Sequence, residues 1–264
     1  MYSTLGPTKA SSPLEANIMD RGSEILKSHL NRCDQMEIIQ TRRGWCQDDL
    51  GCAPRTEFNY FVGKDHVATS LEDSDPCYRI FCNGIHPFIM EVKELHSGLN
   101  ILTVERPFAC HASNCKCCCY QEASFFSDDD FLGRIEEQFY CCIPQFVVYD
   151  NVNRPMYKIH PPTCCSGIFI DCCAEGNPFG RGCCRQSFRV YPFSQENTDD
   201  DAPFVGKILK KPISVLVEMF TNSEIYVLDF PSDSSAAQKG TLIGSTIFLN
   251  SIFFQGEHSN GIGA

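Results

Sequence analysis

The sequence predicts a mainly β protein, a sandwich or a barrel, with one nearly all-apolar helix near its C-terminus. Two observations carry this. Short segments rich in Val, Ile, Phe and Tyr recur up to about residue 233, most of them bounded by Gly, Pro, Asn or Asp. One strongly apolar run, "AAQKGTLIGSTIFLNSIFF" (236–254), follows them. No repeat of roughly 20–50 residues points to a solenoid or propeller.

Taken in order, residues 1–16 are Ser, Thr, Pro and Gly without pattern and read as a flexible arm. "IMDRGSEILKSHLNR" (18–32) suits one short helix. The main domain is expected over 33–255, with a tail at 256–264. Strands are expected in "PFIMEVKEL" (87–95), "LNILTVERPF" (99–108), "PQFVVYD" (144–150), "GIFIDCC" (167–173), "RQSFRVYPF" (185–193) and "PISVLVEMF" (212–220). Strand alternation puts Phe188, Val190 and Pro192 on one face and Arg189, Tyr191 and Phe193 on the other. In the last run, Leu242, Ile243, Ile247, Phe248, Leu249, Ile252, Phe253 and Phe254 cover most of a helical circumference, as in a helix buried on nearly all sides. A spanning helix needs about 20 apolar residues. The fourteen from Thr241 to Phe254 include five polar ones, and Gly244 weakens the helix further. The run therefore suits a helix surrounded by protein, with a tilted single-pass anchor as the alternative.

The bulk composition narrows the function classes. An apolar share of 43% supports a real core, and a net charge of −11 argues against general nucleic-acid binding without excluding a local basic patch. An acidic surface is repelled by anionic lipid heads, so membrane contact needs lipid chains, bound cations or an apolar insert. The N-terminal residues have no continuous apolar core of the secretory type, which predicts a cytosolic chain with reduced thiols. The 18 cysteines are then not a disulfide framework. The histidines at 29, 66, 86, 96, 111, 160 and 258 are scattered, and neither a Gly-x-Ser-x-Gly elbow nor a phosphate-cradling Gly loop is present. No covalent chemistry is expected.

The order of several pieces is more specific. "SLEDSDPCYRIFC" (70–82), "ILTVERPFAC" (101–110) with a cysteine run and "YQE" (120–122), "PQFVVYD", "FVGKILKK" (204–211), "MFTNSEIYVLDFPSD" (219–233) and "LIGSTIFLNSIFF" (242–254) resemble the phospholipid scramblase family in the same order. The resemblance implies a tubby-like fold, a closed antiparallel barrel of about twelve strands around a central apolar helix. It also implies calcium-stimulated, ATP-independent, bidirectional movement of phospholipids between leaflets. Phospholipid membranes and signalling proteins are the implied partners, and nucleic acid a less favoured one. By the resemblance, the family's Pro-rich N-terminal region is expected to be missing here or reduced to a short arm. The alternative function is a membrane-tethered adaptor that moves no lipid.

Three clusters are candidate sites. "CKCCC" (115–119) lacks the separated pairs that zinc favours, and bridges between neighbouring cysteines are strained. A dense thiol cluster fits reversible palmitoylation at Cys115, Cys117, Cys118 and Cys119, and the resemblance implies the same. Two or more acyl chains make a stable anchor, and Lys116 could face anionic heads. A run of buried small residues is the plainer alternative. The doublets Cys141/Cys142, Cys164/Cys165, Cys172/Cys173 and Cys183/Cys184 frame no separated pair and read as small strand and turn residues. The segment matching the family's calcium site, "NSEIYVLDFPSD" (222–233), offers Asn222, Glu224, Asp229 and Asp233, but Tyr226 and Leu228 stand at ligand-like positions and Val227 where a turn Gly is expected. It reads as a strand, with weak calcium affinity at most. Lys207, Lys210 and Lys211 form a basic patch that matches the family's nuclear-import region, although three lysines at a strand end are ordinarily just solvated. The expected location is the cytoplasmic face of the plasma membrane, held by palmitate, with the nucleus as a minor option.

Overall fold

The computed structural model describes residues 13–43, 55–75, 77, 86–109, 115–116, 119–141, 143–164, 169–171, 187–193, 203–211 and 224–254. It begins with helix α1 (Pro13–Leu30), which starts within the expected arm. Strands β1 (Gln35–Arg43), β2 (Arg55–Val62), β3 (Asp65–Asp73), β4 (Phe88–Glu94) and β5 (Asn100–Arg106) follow. After them come β6 (Cys115–Lys116), β7 (Glu122–Ser127), β8 (Asp130–Glu137), β9 (Tyr140–Cys141), β10 (Phe146–Asp150) and β11 (Pro155–His160). The last strands are β12 (Thr163–Cys164), β13 (Phe169–Ile170), β14 (Phe188–Pro192), β15 (Gly206–Lys211) and β16 (Glu224–Asp229). Helix α2 (Ala236–Leu249) closes the chain and runs on into a π-helical turn, Asn250–Phe254. Of the expected strand over 167–173, only 169–171 are described and they hold β13, and the expected strand over 212–220 lies outside the described residues.

Twelve strands close one antiparallel barrel in the order β1-β16-β15-β14-β11-β10-β8-β7-β5-β4-β3-β2. β16 seals it against β1, with Ile38 opposite Tyr226. The path is a meander except where it steps over short strands: β5 pairs β7, β8 pairs β10 and β11 pairs β14. The skipped strands form two small sheets outside the barrel, β6 with β9 and β12 with β13. Period-two patterning explains the inner face. In β4, Phe88, Met90, Val92 and Glu94 are buried while Ile89, Glu91 and Lys93 are exposed. In β14, Phe188 and Val190 face inward as expected, but Pro192 at the strand end is exposed.

The lumen is filled by α2. Leu242, Phe248 and Leu249 are completely buried, and Ile243 and Ile247 nearly so. Ser235 caps the helix in a capping box: Gln238 N donates to its hydroxyl at 3.3 Å, and its own N donates to Gln238 Oε1 at 2.8 Å. Three hydroxyls of the run are satisfied within the helix, while Asn250 accepts from the Tyr226 hydroxyl of β16. Thr241, Ser245 and Thr246 hydroxyls donate to the Gln238, Thr241 and Leu242 carbonyls at 2.7, 2.7 and 2.9 Å. Phe146 meets Phe248 and Phe253 edge-on, with centroids at 5.9 Å in both cases. Beside α1, buried Lys239 donates to the carbonyls of Leu30 and Cys33, both at 2.9 Å. Among the described residues no helix is long and apolar enough to cross a membrane. The reading of 236–254 as a helix surrounded by protein is the one the fold realises.

Candidate functional site

The barrel has two different ends. At one, β2 meets β3, β4 meets β5, β7 meets β8 and β10 meets β11 through short turns. At the other, β1 leads to β2, β3 to β4, β5 to β7, β8 to β10, β11 to β14 and β15 to β16 through longer connections. Among the described cysteines, Cys77, Cys115, Cys119, Cys141 and Cys164 belong to this second end. Cys33 alone sits at the first end, buried between α1 and β1. The described cysteines of the cluster and of two doublets thus lie in connections that leave and re-enter the barrel at one rim.

The "CKCCC" segment is anchored there. Cys115 pairs with Cys141 and Lys116 with Tyr140 across the small β6–β9 sheet. Cys119 is exposed, with a left-handed φ of 56°, and after Tyr120 the chain re-enters the barrel at fully buried Gln121. Cys117 and Cys118 lie outside the described residues. The feet of the segment are the "ERPF" and "YQE" motifs, and their physical role is visible. Arg106, at an inward position of β5 and 2% exposed, donates to Gln121 Oε1 at 2.8 Å and to Ser251 Oγ of the π-turn at 3.1 Å. Gln121 N donates to the Glu137 carboxylate at 2.9 Å. The guanidinium also lies 5.9 Å from the Phe88 ring centroid and 6.0 Å from that of Phe248. Burial pulls Arg106 down to about 10, against the opposing pull of Glu72 and Glu137. Two strands, the cysteine segment and the end of the central helix therefore share one cation.

Next to it, buried His86 donates Nε2–H to Glu72 Oε1 at 2.8 Å, and Ser74 Oγ donates to the same oxygen at 2.6 Å. Burial pushes the Glu72 carboxyl up, but the hydrogen bonds from His86 and Ser74 outweigh it and hold the group below its ordinary range. Sequence reasoning missed Arg106, Gln121, Glu137, Glu72 and His86. The available signal was strand parity, because Arg106 follows Leu102 and Val104 on the buried face of β5.

The other candidate residues do not converge. On β16, Glu224 faces the interior, where Lys210 Nζ donates to it at 2.7 Å and the Tyr226 hydroxyl also donates to it. Asp229, an odd number of residues away, faces outward, 3.8 Å from Lys207 and accepting from Gln35 at 2.5 Å. Asp233 is exposed in the turn before α2, and Asn222 lies outside the described residues. Lys207, Lys210 and Lys211 are each ion-paired, to Asp229, Glu224 and Glu37, and stand on both faces of β15. Leu242 to Phe253 of the helix line the core as expected, with Ile252 and Phe253 partly buried. Among the described residues no cluster of three or more His, Cys, Asp or Glu side chains could hold a metal. A groove of about 810 Å³ opens on the outer wall at the cysteine-bearing end, between Asp73, Ile89, Glu105 and Glu122.

No solved structure matches the chain. Phospholipid scramblase 2 of Bos taurus is 26% identical over 187 residues, 70% of this chain and 56% of that protein. Phospholipid scramblase 1 of Homo sapiens is 26% identical over 191 residues (72% and 53%), and its Mus musculus counterpart 24% identical over 222 (84% and 59%). The chain thus spans little more than half the length of these relatives. The Scramblase family model matches residues 59–256, from β2 through the central helix. With three quarters of its length inside that match, the chain belongs to the scramblase family.

Proposed function

We propose that this protein moves phospholipids between the leaflets of a membrane, in both directions, without ATP and with stimulation by calcium. The observation that supports it is the family match, which runs through barrel and helix together. The relatives carrying the match are named for phospholipid scrambling. In this reading palmitate on Cys115, Cys117, Cys118 and Cys119 holds the barrel at the cytoplasmic face of the plasma membrane. Calcium binds weakly at 222–233. Because Glu224 and Asp229 face opposite sides and are already ion-paired to lysines, the ion takes Asp233 and main-chain oxygens there. The chain acts as a translocator rather than an enzyme. The test is purified protein in liposomes with a leaflet-specific quench of labelled phospholipid, with and without calcium. Transfer above protein-free vesicles, raised by calcium, is expected. No transfer at any calcium level would overturn the proposal.

A second reading is favoured by the enclosure of α2. A closed barrel whose apolar helix is sealed inside offers no path for a polar head through its lumen. The protein is then a palmitate-tethered adaptor for signalling proteins, with nucleic acid a less favoured partner, and the same liposome assay separates the two.

A further inference from the structure

We infer that the cysteine-bearing end of the barrel is a lipid-docking face, where Phe108, Tyr120 and Phe139 enter the interfacial layer of a bilayer and the barrel stands on its end. This rests on the membrane-binding part of the reading above and adds which face and which side chains meet the lipid.

Three observations carry it. First, the rings stand on two neighbouring connections at this end, β5 to β7 and β8 to β10. Phe108 follows β5, Tyr120 precedes β7 and Phe139 follows β8, and these strands are neighbours in the barrel. The bond from Glu137 N to Gln121 O, at 2.8 Å, continues the pairing beyond the strands, so the tips share one sector of the rim. Their exposures are 54%, 37% and 64%, and Phe139 is the most exposed large apolar side chain among the described residues. Tyr favours the membrane–water interface, and Phe buries its ring at the boundary with the acyl chains. Separate tips are a poor match for a rigid protein partner, which buries about 800 Å² of continuous surface. Each can enter a fluid interface independently.

Second, among the described residues the opposite end exposes one aromatic ring, Phe204, besides Leu95, Val152 and Val205. Asp128, Asp129 and Asp130 stand there, where β7 turns into β8, between the turns of Val152 and Leu95. The Arg189 guanidinium lies against the Phe204 ring, 4.8 Å from its centroid.

Third, Phe108 and Tyr120 bracket the cysteine segment, and Cys119 beside Tyr120 is exposed. Acyl chains attached there would enter a bilayer next to the rings.

Depth-dependent quenching by brominated phospholipids tests this on the full, acylated chain bound to phosphatidylcholine vesicles. Trp45, the sole tryptophan, is replaced by Phe, and single reporters are placed as Phe139→Trp or Phe204→Trp. Strong quenching of the first and little of the second is expected. In addition, F108A/F139A should lower vesicle partitioning of the unacylated protein by about tenfold. Vesicle-bound protein in which the Phe204→Trp reporter is quenched as much or more overturns the docking face but leaves membrane binding standing. Failure of the acylated chain to bind vesicles at all removes both readings. If F108A/F139A leaves partitioning unchanged and instead dissociates a dimer seen by light scattering, the rings serve a protein interface and the proposal is wrong.

Discussion

Arg106 joins β5, the foot of the cysteine segment and the π-turn of the central helix through one guanidinium. Arg106→Met keeps the stem but leaves Gln121 Oε1 and the Glu72 and Glu137 charges without their cation. Breaking such a buried arrangement typically costs about 3–5 kcal/mol. The urea midpoint should fall accordingly, and limited proteolysis should cut between residues 107 and 121 in the variant before it cuts elsewhere. Glu72 gives a second test, in pH. Its carboxyl is held below the ordinary range in the folded state. A depressed folded value means that the group stabilises the fold above its unfolded pKa, and that this contribution is lost as pH falls through the lowered one. Stability should therefore drop on acidification below the ordinary carboxylate range, and Glu72→Gln should flatten that limb of the pH profile measured by urea unfolding. These residues were legible only in part. The sequence motif "ERPF" stood out, but which partner Arg106 holds depends on β7 and the π-turn, 15 and 145 residues away.

At the scale of elements, the apolar run and its enclosure were readable from periodicity, because eight apolar side chains spread round a helix leave no polar face to turn to water. Gly244 was readable only as a weak helix former. Its reason lies across the lumen: a Cβ there would stand 2.4 Å from Cδ1 of Phe125 on β7. The glycine lets helix and wall approach. Gly244→Ala should destabilise by about 1–3 kcal/mol despite the better helix propensity of Ala. Adding Phe125→Leu should recover much of the loss, a non-additivity that a double-mutant cycle by urea unfolding reads directly. The calcium segment was legible as a strand, and strand parity already separates Glu224 from Asp229. The convergence of the cysteine connections on one rim was not legible. It follows from the alternation of strand direction once β6, β9, β12 and β13 are left outside the barrel, so that the connections after β3, β5, β8 and β11 all return to the same end.

For the whole molecule, the question is whether the helix leaves the barrel on a membrane. Fourteen residues at about 1.5 Å each give roughly 21 Å, short of a hydrocarbon core of about 30 Å. Extraction would also empty the lumen. Leu242, Ile243, Ile247, Phe248 and Leu249 each contribute about 1.5–3 kcal/mol of burial, on the order of 10 kcal/mol together, comparable with the whole stability of a typical domain. A bilayer would restore the burial of the helix but not that of Phe58, Phe125, Phe146 and Phe188 on the vacated wall. Lys239 would lose both of its carbonyl partners, and Arg106 its contact with Ser251. The helix is therefore expected to stay enclosed when the protein docks, so that any lipid transfer proceeds at the outer surface and the docked rim. Hydrogen exchange checks this: amides of 242–249 should remain equally protected in free and vesicle-bound protein. Loss of their protection on vesicles, together with cross-linking of the helix to lipid chains, would show that the barrel opens, and would move the transfer path to the lumen that α2 fills.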